Sequence, residues 1–156
     1  MAFPLTRTLT LTTTASPAAV WHAFSRVELW PTVIPELLAA RLEPPGPLAA
    51  GSRIVTRATA ESRGSDITYD VVAVEPPRRL VLTVGDPAYR AKMEYGIATD
   101  GDVTDVIATS TLEAVGFAQT FRFLLWRERL TPMLIATARE RAQALVALAE
   151  RIGETG

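Results

Sequence analysis

The chain contains no cysteine and one histidine, His22. Without cysteine there is no disulfide framework, no thiolate nucleophile, no cysteine-ligated zinc and no iron–sulfur cluster. With a single histidine, a metal site would fall to carboxylates alone. These do not gather on one inward face, so neither a metal nor another cofactor is expected. The glycines are scattered, and no glycine-rich loop is present to cradle a phosphate. No apolar run approaches the ~20 residues of a membrane-spanning helix. The first residues, Met1 to Leu11, alternate threonine with apolar side chains and lack a signal-peptide core. The expected location is therefore the cytoplasm, with no integral membrane segment. Nor does one charge dominate: 16 basic residues stand against 17 acidic ones, a formal net charge of -1. That balance leaves no electrostatic footprint for nucleic acid or anionic lipid.

What is present fits one globular domain over residues 1–156. A chain of this size buries roughly 70% of its unfolded surface, enough for a sizeable core. Leu5–Thr13 alternates, with Leu5, Leu9 and Leu11 on one face and Thr6, Thr8, Thr10 and Thr12 on the other, which predicts a half-buried strand. Arg7 shares the apolar parity. Ser16-Pro17 reads as N-cap and first position of a short helix ending near Ser25, with Val20 and Phe24 as its buried stripe. Residues 28–38 contain Trp30-Pro31 and Pro35, so they predict only a second short helix or a turn.

A proline loop at 44–47 then leads into strands over 52–61, 66–74, 79–84, 89–98 and 103–114. Pro76-Pro77 falls between two of these runs. Neither proline donates to a ladder, so the chain must turn there and the runs form a hairpin. Asp100-Gly101-Asp102 marks another hairpin turn. Residues 118–152 read as helix, kinked or restarted at Thr131-Pro132. Leu134, Ala138, Ala142, Leu145, Ala149 and Ile152 form its apolar stripe. The Arg122, Arg127, Arg129, Arg139, Arg141 series is expected to be a solvated helix face. Consecutive strands joined by tight turns make an antiparallel meander, and a long amphipathic helix packs on its apolar face.

Ser16-Pro17, Val20-Trp21, Phe24-Ser25 and Leu29-Trp30-Pro31 together resemble the opening of the START-like, or polyketide cyclase/dehydrase-like, superfamily. Val74-Glu75-Pro76-Pro77-Arg78-Arg79-Leu80 resembles that family's turn between its middle strands. The resemblance spans nearly the whole chain. It implies an α+β helix-grip fold: a curved antiparallel sheet of about seven strands wrapped around the C-terminal helix, with two short helices after the first strand and a cavity between sheet and helix. It does not select among the lipid carriers, cyclases, hydroxylase domains, hormone receptors and chaperone-associated modules of the superfamily.

Strand parity predicts which residues face the cavity. The inward sets are Ile54, Thr56, Ala58 and Ala60; Ile67, Tyr69, Val71 and Ala73; Tyr89, Ala91, Met93, Tyr95 and Ile97; and Thr104, Val106, Ala108, Ser110 and Leu112. Many are small, and a few hydroxyls stand in an otherwise apolar wall, the pattern of a small-molecule pocket. The alternative is that Phe121, Leu124, Leu125 and Trp126 pack down and fill the space. Expected pocket residues are thus Ile54, Thr56, Ala58, Tyr69, Val71, Tyr89, Met93, Tyr95, Ala108, Ser110, Phe121 and Leu125, with Trp30 at the entrance and Arg7 at the mouth. No catalytic residue emerges. His22 lies about 160° around its helix from Val20 and Phe24 and reads as a surface residue. The sequence therefore points to a protein binding an apolar small molecule: a lipid, isoprenoid, quinone or polyketide-like compound. A cyclase/aromatase- or dehydratase-like enzyme and a chaperone-associated interaction module are the alternatives. The sequence leaves a homodimer open.

Overall fold

Seven strands form one antiparallel sheet in the order β1-β7-β6-β5-β4-β3-β2. They are β1 (Leu5–Thr13), β2 (Leu37–Glu43), β3 (Arg53–Ala58), β4 (Asp66–Glu75), β5 (Arg79–Gly85), β6 (Tyr89–Asp100) and β7 (Val103–Ala114). The computed structural model describes residues 5–35, 37–58, 66–85, 89–114 and 139–153. Strands β2 to β7 run as a meander, and β1 closes against β7 with Arg7 opposite Ser110. The helix α1 (Pro17–Ser25) and a 3-10 helix (Val27–Thr32) connect β1 to β2, at opposite edges of the sheet. Ser16 caps α1: its hydroxyl accepts from the Ala19 N–H at 3.1 Å, and Pro17 follows at the first helical position.

The described part of the C-terminal helix, α2 (residues 139–153), buries Ala142, Leu145, Val146, Leu148 and Ala149 in one core with Val20, Phe24, Ile54, Tyr69, Leu82 and Val106. Ile152 packs at its margin. These are the stripe positions of a helix lying on a sheet. Leu134 and Ala138 of the predicted stripe, and the Thr131-Pro132 pair, lie outside the described residues. At the Asp100-Gly101-Asp102 turn, Gly101 has φ +64°, the left-handed conformation that a tight hairpin demands.

Two local irregularities correct the expected layout. The second short segment is a 3-10 helix that ends at Thr32, and Leu37–Glu43 is a strand instead of a helix end. The register of β2 against β3 shifts between Leu37 and Ala39, which leaves Leu38 60% exposed. That bulge breaks the alternation by which a strand is recognised. A second shift lies in β4, between Val71 and Ala73. Tyr69 and Val71 face the core as expected, but Val72 bulges outward and Val74, not Ala73, packs inward beyond it. Counting parity from the Pro76-Pro77 turn would therefore misplace Tyr69 by one face. Ile67, expected inward, is 37% exposed near the strand's start.

Candidate functional site

Between the sheet and α2 lies a cavity bordered on one side by Trp30, Ile34 and Leu37. Its floor comes from four successive strands: Thr56 on β3, Tyr69 on β4, Leu82 on β5, and Met93 and Tyr95 on β6. Arg141 and Leu145 of α2 form the roof. The enclosed space is small, about 20 Å³, room for roughly one water molecule.

Each polar group has a defined place. Tyr69 sits opposite Ile54 in the β3–β4 ladder and is 5% exposed. Arg141 Nη1 donates to its hydroxyl at 2.9 Å. Tyr95 lies opposite Leu80 and Ala108, and its ring stands tilted at 53° against Phe24 of α1 with centroids 4.9 Å apart. Burial pushes the Tyr95 phenol up to about 12; the Arg141 charge opposes that rise, and Tyr69 adds slightly to it. Tyr95 is therefore neutral at ordinary pH and carries its proton into the cavity. Thr56 spends its hydroxyl on the Ile67 carbonyl at 2.9 Å, and the Trp30 indole N–H donates to the Ala23 carbonyl at 3.2 Å. The tryptophan is thus pinned to the end of α1.

Of the expected pocket residues, Thr56, Tyr69, Met93, Tyr95 and Trp30 meet at this cavity. Ile54, Val71, Ala108 and Ser110 are buried on the same side of the sheet but do not line it. Arg7 is exposed and donates to the Thr6 carbonyl at 2.7 Å, away from this lining. Strand β3 ends at Ala58 and β6 begins at Tyr89, opposite Leu37 and Ala114 respectively, and their side chains lie outside the described set. Phe121, Leu124, Leu125 and Trp126 also lie outside the described residues. His22 is half-buried on α1 and does not border the cavity.

Arg141 is the main correction. Arg139 is exposed, as a solvated face requires, but Arg141 is half-buried and turned to Tyr69. The signal was in the spacing: Arg141 is four residues before Leu145, so the two share a helix face, and Leu145 is a stripe residue. Leu37 and Leu82 also join the lining unforeseen, the first because β2 was not recognised as a strand.

Residues 5–153 match the family described as polyketide cyclase / dehydrase and lipid transport. No curated protein matches the chain by sequence. Among solved structures, the Zhui aromatase/cyclase from Streptomyces sp. R1128 superposes with a TM-score of 0.73 at 15% identity, over 96% of this chain and 95% of that one. A START superfamily protein from Mycobacterium smegmatis gives 0.69 at 15% identity, over 94% and 98% of the two chains. Norcoclaurine synthase from Thalictrum flavum gives 0.70 at 11% identity, over 94% and 87%. These likenesses are of fold: the curved seven-stranded sheet, the short helices after β1 and the C-terminal helix. No helix among the described residues is long and apolar enough to cross a membrane.

Proposed function

The chain belongs to the polyketide cyclase / dehydrase and lipid transport family, and from that premise we propose that it binds an apolar small molecule between sheet and α2. The carrying observation is the lining: Tyr69, Tyr95 and Arg141 converge in a wall otherwise built from Trp30, Ile34, Leu37, Leu82, Met93 and Leu145. Thr56 is the remaining polar member among the described residues, and its hydroxyl is already engaged. Apolar surface supplies affinity, and the few polar groups fix orientation. Burying a few hundred Å² of apolar ligand at ~25 cal/mol per Å² is worth several kcal/mol before ordering costs. Entry requires the lining to open beyond its present volume, and the unbranched Met93 side chain is the most adaptable part of the floor. Native mass spectrometry of the purified protein, followed by a lipid and aromatic ligand screen, tests this reading. No retained or added ligand, together with a crystal structure whose cavity is filled by side chains, would sink it.

A cyclase- or dehydratase-like enzyme is the second reading, and the family's description favours it. With no acid–base pair among the described lining residues, such an enzyme would act by positioning a flexible substrate and hydrogen-bonding its carbonyls. Tyr69→Phe and Tyr95→Phe in a turnover assay on a polyketide-like substrate decide it; unchanged rates count against catalysis. The interaction-module reading has no comparable support. The large exposed apolar side chains among the described residues, Leu38, Ile67, Val72 and Ile107, are scattered over β2, β4 and β7.

A further inference from the structure

We infer that the chain carries a second small-molecule site, a surface groove beside α1 that takes an uncharged, hydroxylated aromatic ligand. The groove has a volume of about 480 Å³, inside the range of about 300–1,000 Å³ usual for ligand pockets. The cavity under α2 offers about 20 Å³ in the same structure. Among the described residues the two linings have no member in common, so the inference does not depend on the cavity. Trp21 and Ser25, one turn apart on α1, form one wall. Leu42 of β2, Pro47 and Leu48 of the loop after it, and Pro76 of the β4–β5 turn supply the rest of the apolar surface. Trp21, Leu42 and Leu48 each bury part of their surface against the core, which holds them in place. Gly46 adds no side chain, so the loop leaves the groove unfilled at that point.

The indole N–H of Trp21 makes no hydrogen bond among the described residues, whereas that of Trp30 is spent on the Ala23 carbonyl. No buried side-chain nitrogen or oxygen among the described residues lacks a partner, so the Trp21 N–H is open to solvent although its residue is half-buried. A half-buried indole with an unspent donor can stack on a flat ring and donate to a polar atom attached to it. Arg26 and Glu28 stand at the same groove as an ion pair, Nε to Oε1 at 2.8 Å. That single bond leaves the guanidinium Nη donors and the second carboxylate oxygen available to a ligand. A hydroxyl matches this combination, because it accepts from the indole or guanidinium and gives its proton to the carboxylate. A carboxylate ligand would meet Glu28, and an ammonium ligand would meet Arg26, each a like charge.

The test titrates 2-naphthol at pH 7 into the intact ¹⁵N-labelled chain. The three tryptophans give three indole N–H resonances, assigned through their own backbones. The Trp21 resonance should shift along a saturable curve. 2-Naphthoate should bind at least about threefold more weakly, since it brings a charge toward Glu28. Trp21→Leu, followed at the backbone resonances of Gly46 and Leu48, should weaken 2-naphthol binding about tenfold, through loss of both ring and donor. A shift of the Trp30 resonance with Trp21 unmoved would place the ligand in the cavity, which overturns this inference and leaves the cavity reading standing. A Trp21 resonance that stays put, or drifts without saturating, overturns it as well. So does equal binding of 2-naphthoate, or undiminished binding by Trp21→Leu. The wild-type titration decides the matter even where Trp21→Leu does not fold.

Discussion

Tyr95→Phe should change the alkaline stability of this protein while leaving its stability at neutral pH almost untouched. Tyr95 is 9% exposed, packed against Phe24, and its hydroxyl makes no hydrogen bond among the described residues. Deleting that hydroxyl removes no partner, so at pH 7 the variant should lie within about 1 kcal/mol of the wild type. At high pH the two diverge. Burial raises the phenol from 10.0 to about 12, with Arg141 pulling the other way. An acid whose folded pKa is raised holds its proton more tightly when folded than unfolded. Its contribution is fully present below the unfolded value and is lost as pH climbs toward the folded one. The loss should reach about 1.4 kcal/mol near pH 11 and approach about 3 kcal/mol above pH 12.

Urea unfolding of both proteins at pH 7, 9, 10 and 11 measures this directly. Other titrating groups are common to the pair and cancel in the difference. Absorbance at 295 nm should show a late tyrosine ionisation in the wild type that is missing in Tyr95→Phe. A stability difference that stays flat from pH 7 to 11 would refute the reasoning, because it would mean that the phenol is solvated or already compensated.

Three further substitutions test the supports of the site. Ser16→Ala removes the hydroxyl that accepts from Ala19 N–H at 3.1 Å and should cost about 1 kcal/mol, read as a lower urea midpoint at constant slope; no change would show that α1 does not need its cap. Thr104→Val keeps the shape but leaves the Ala15 carbonyl without its 2.7 Å donor, which should cost about 1–3 kcal/mol; a near-neutral result would mean that water replaces the bond. Trp30→Phe leaves the Ala23 carbonyl in the same position and should lower the melting temperature by a comparable free energy; an unchanged melting temperature would show that the indole N–H has no structural role.

Most of the fold was legible because its elements obey one period each. Leu5–Thr13 alternates apart from Arg7, the Asp100-Gly101-Asp102 turn marks the start of Val103–Ala114, and Ser16-Pro17 punctuates α1, so all three have the expected bounds. Strand β2 was not legible, because its bulge at Leu38 and the apolar run Leu37-Leu38-Ala39-Ala40 erase the alternation. In β4 Tyr69 was placed on the face it occupies, yet the bulge at Val72 makes Ala73 a wrong inward residue and removes the Pro76-Pro77 turn as an anchor for its register. The site was half legible for a related reason. Tyr69, Met93 and Tyr95 follow from strand parity, a one-dimensional rule. Arg141 follows only when a charged residue is allowed onto the apolar stripe, against the habit of placing every arginine in water.

The departures from simple patterning are not spread evenly. One bulge sets Leu37 at the cavity's edge; the other lets Tyr69, Val71 and Val74 all face the core from a strand that strict alternation would have turned over at its end. The charge on the buried stripe sits over the same space. A half-buried guanidinium beside apolar neighbours is costly to desolvate, and its bond to Tyr69 is one of the interactions that offset that cost. A hydrophobic residue at 141 would fill the space and satisfy the helix pattern better. Natural sequences break local rules where function demands it, and here two of the breaks, at Leu37 and at Arg141, border one cavity.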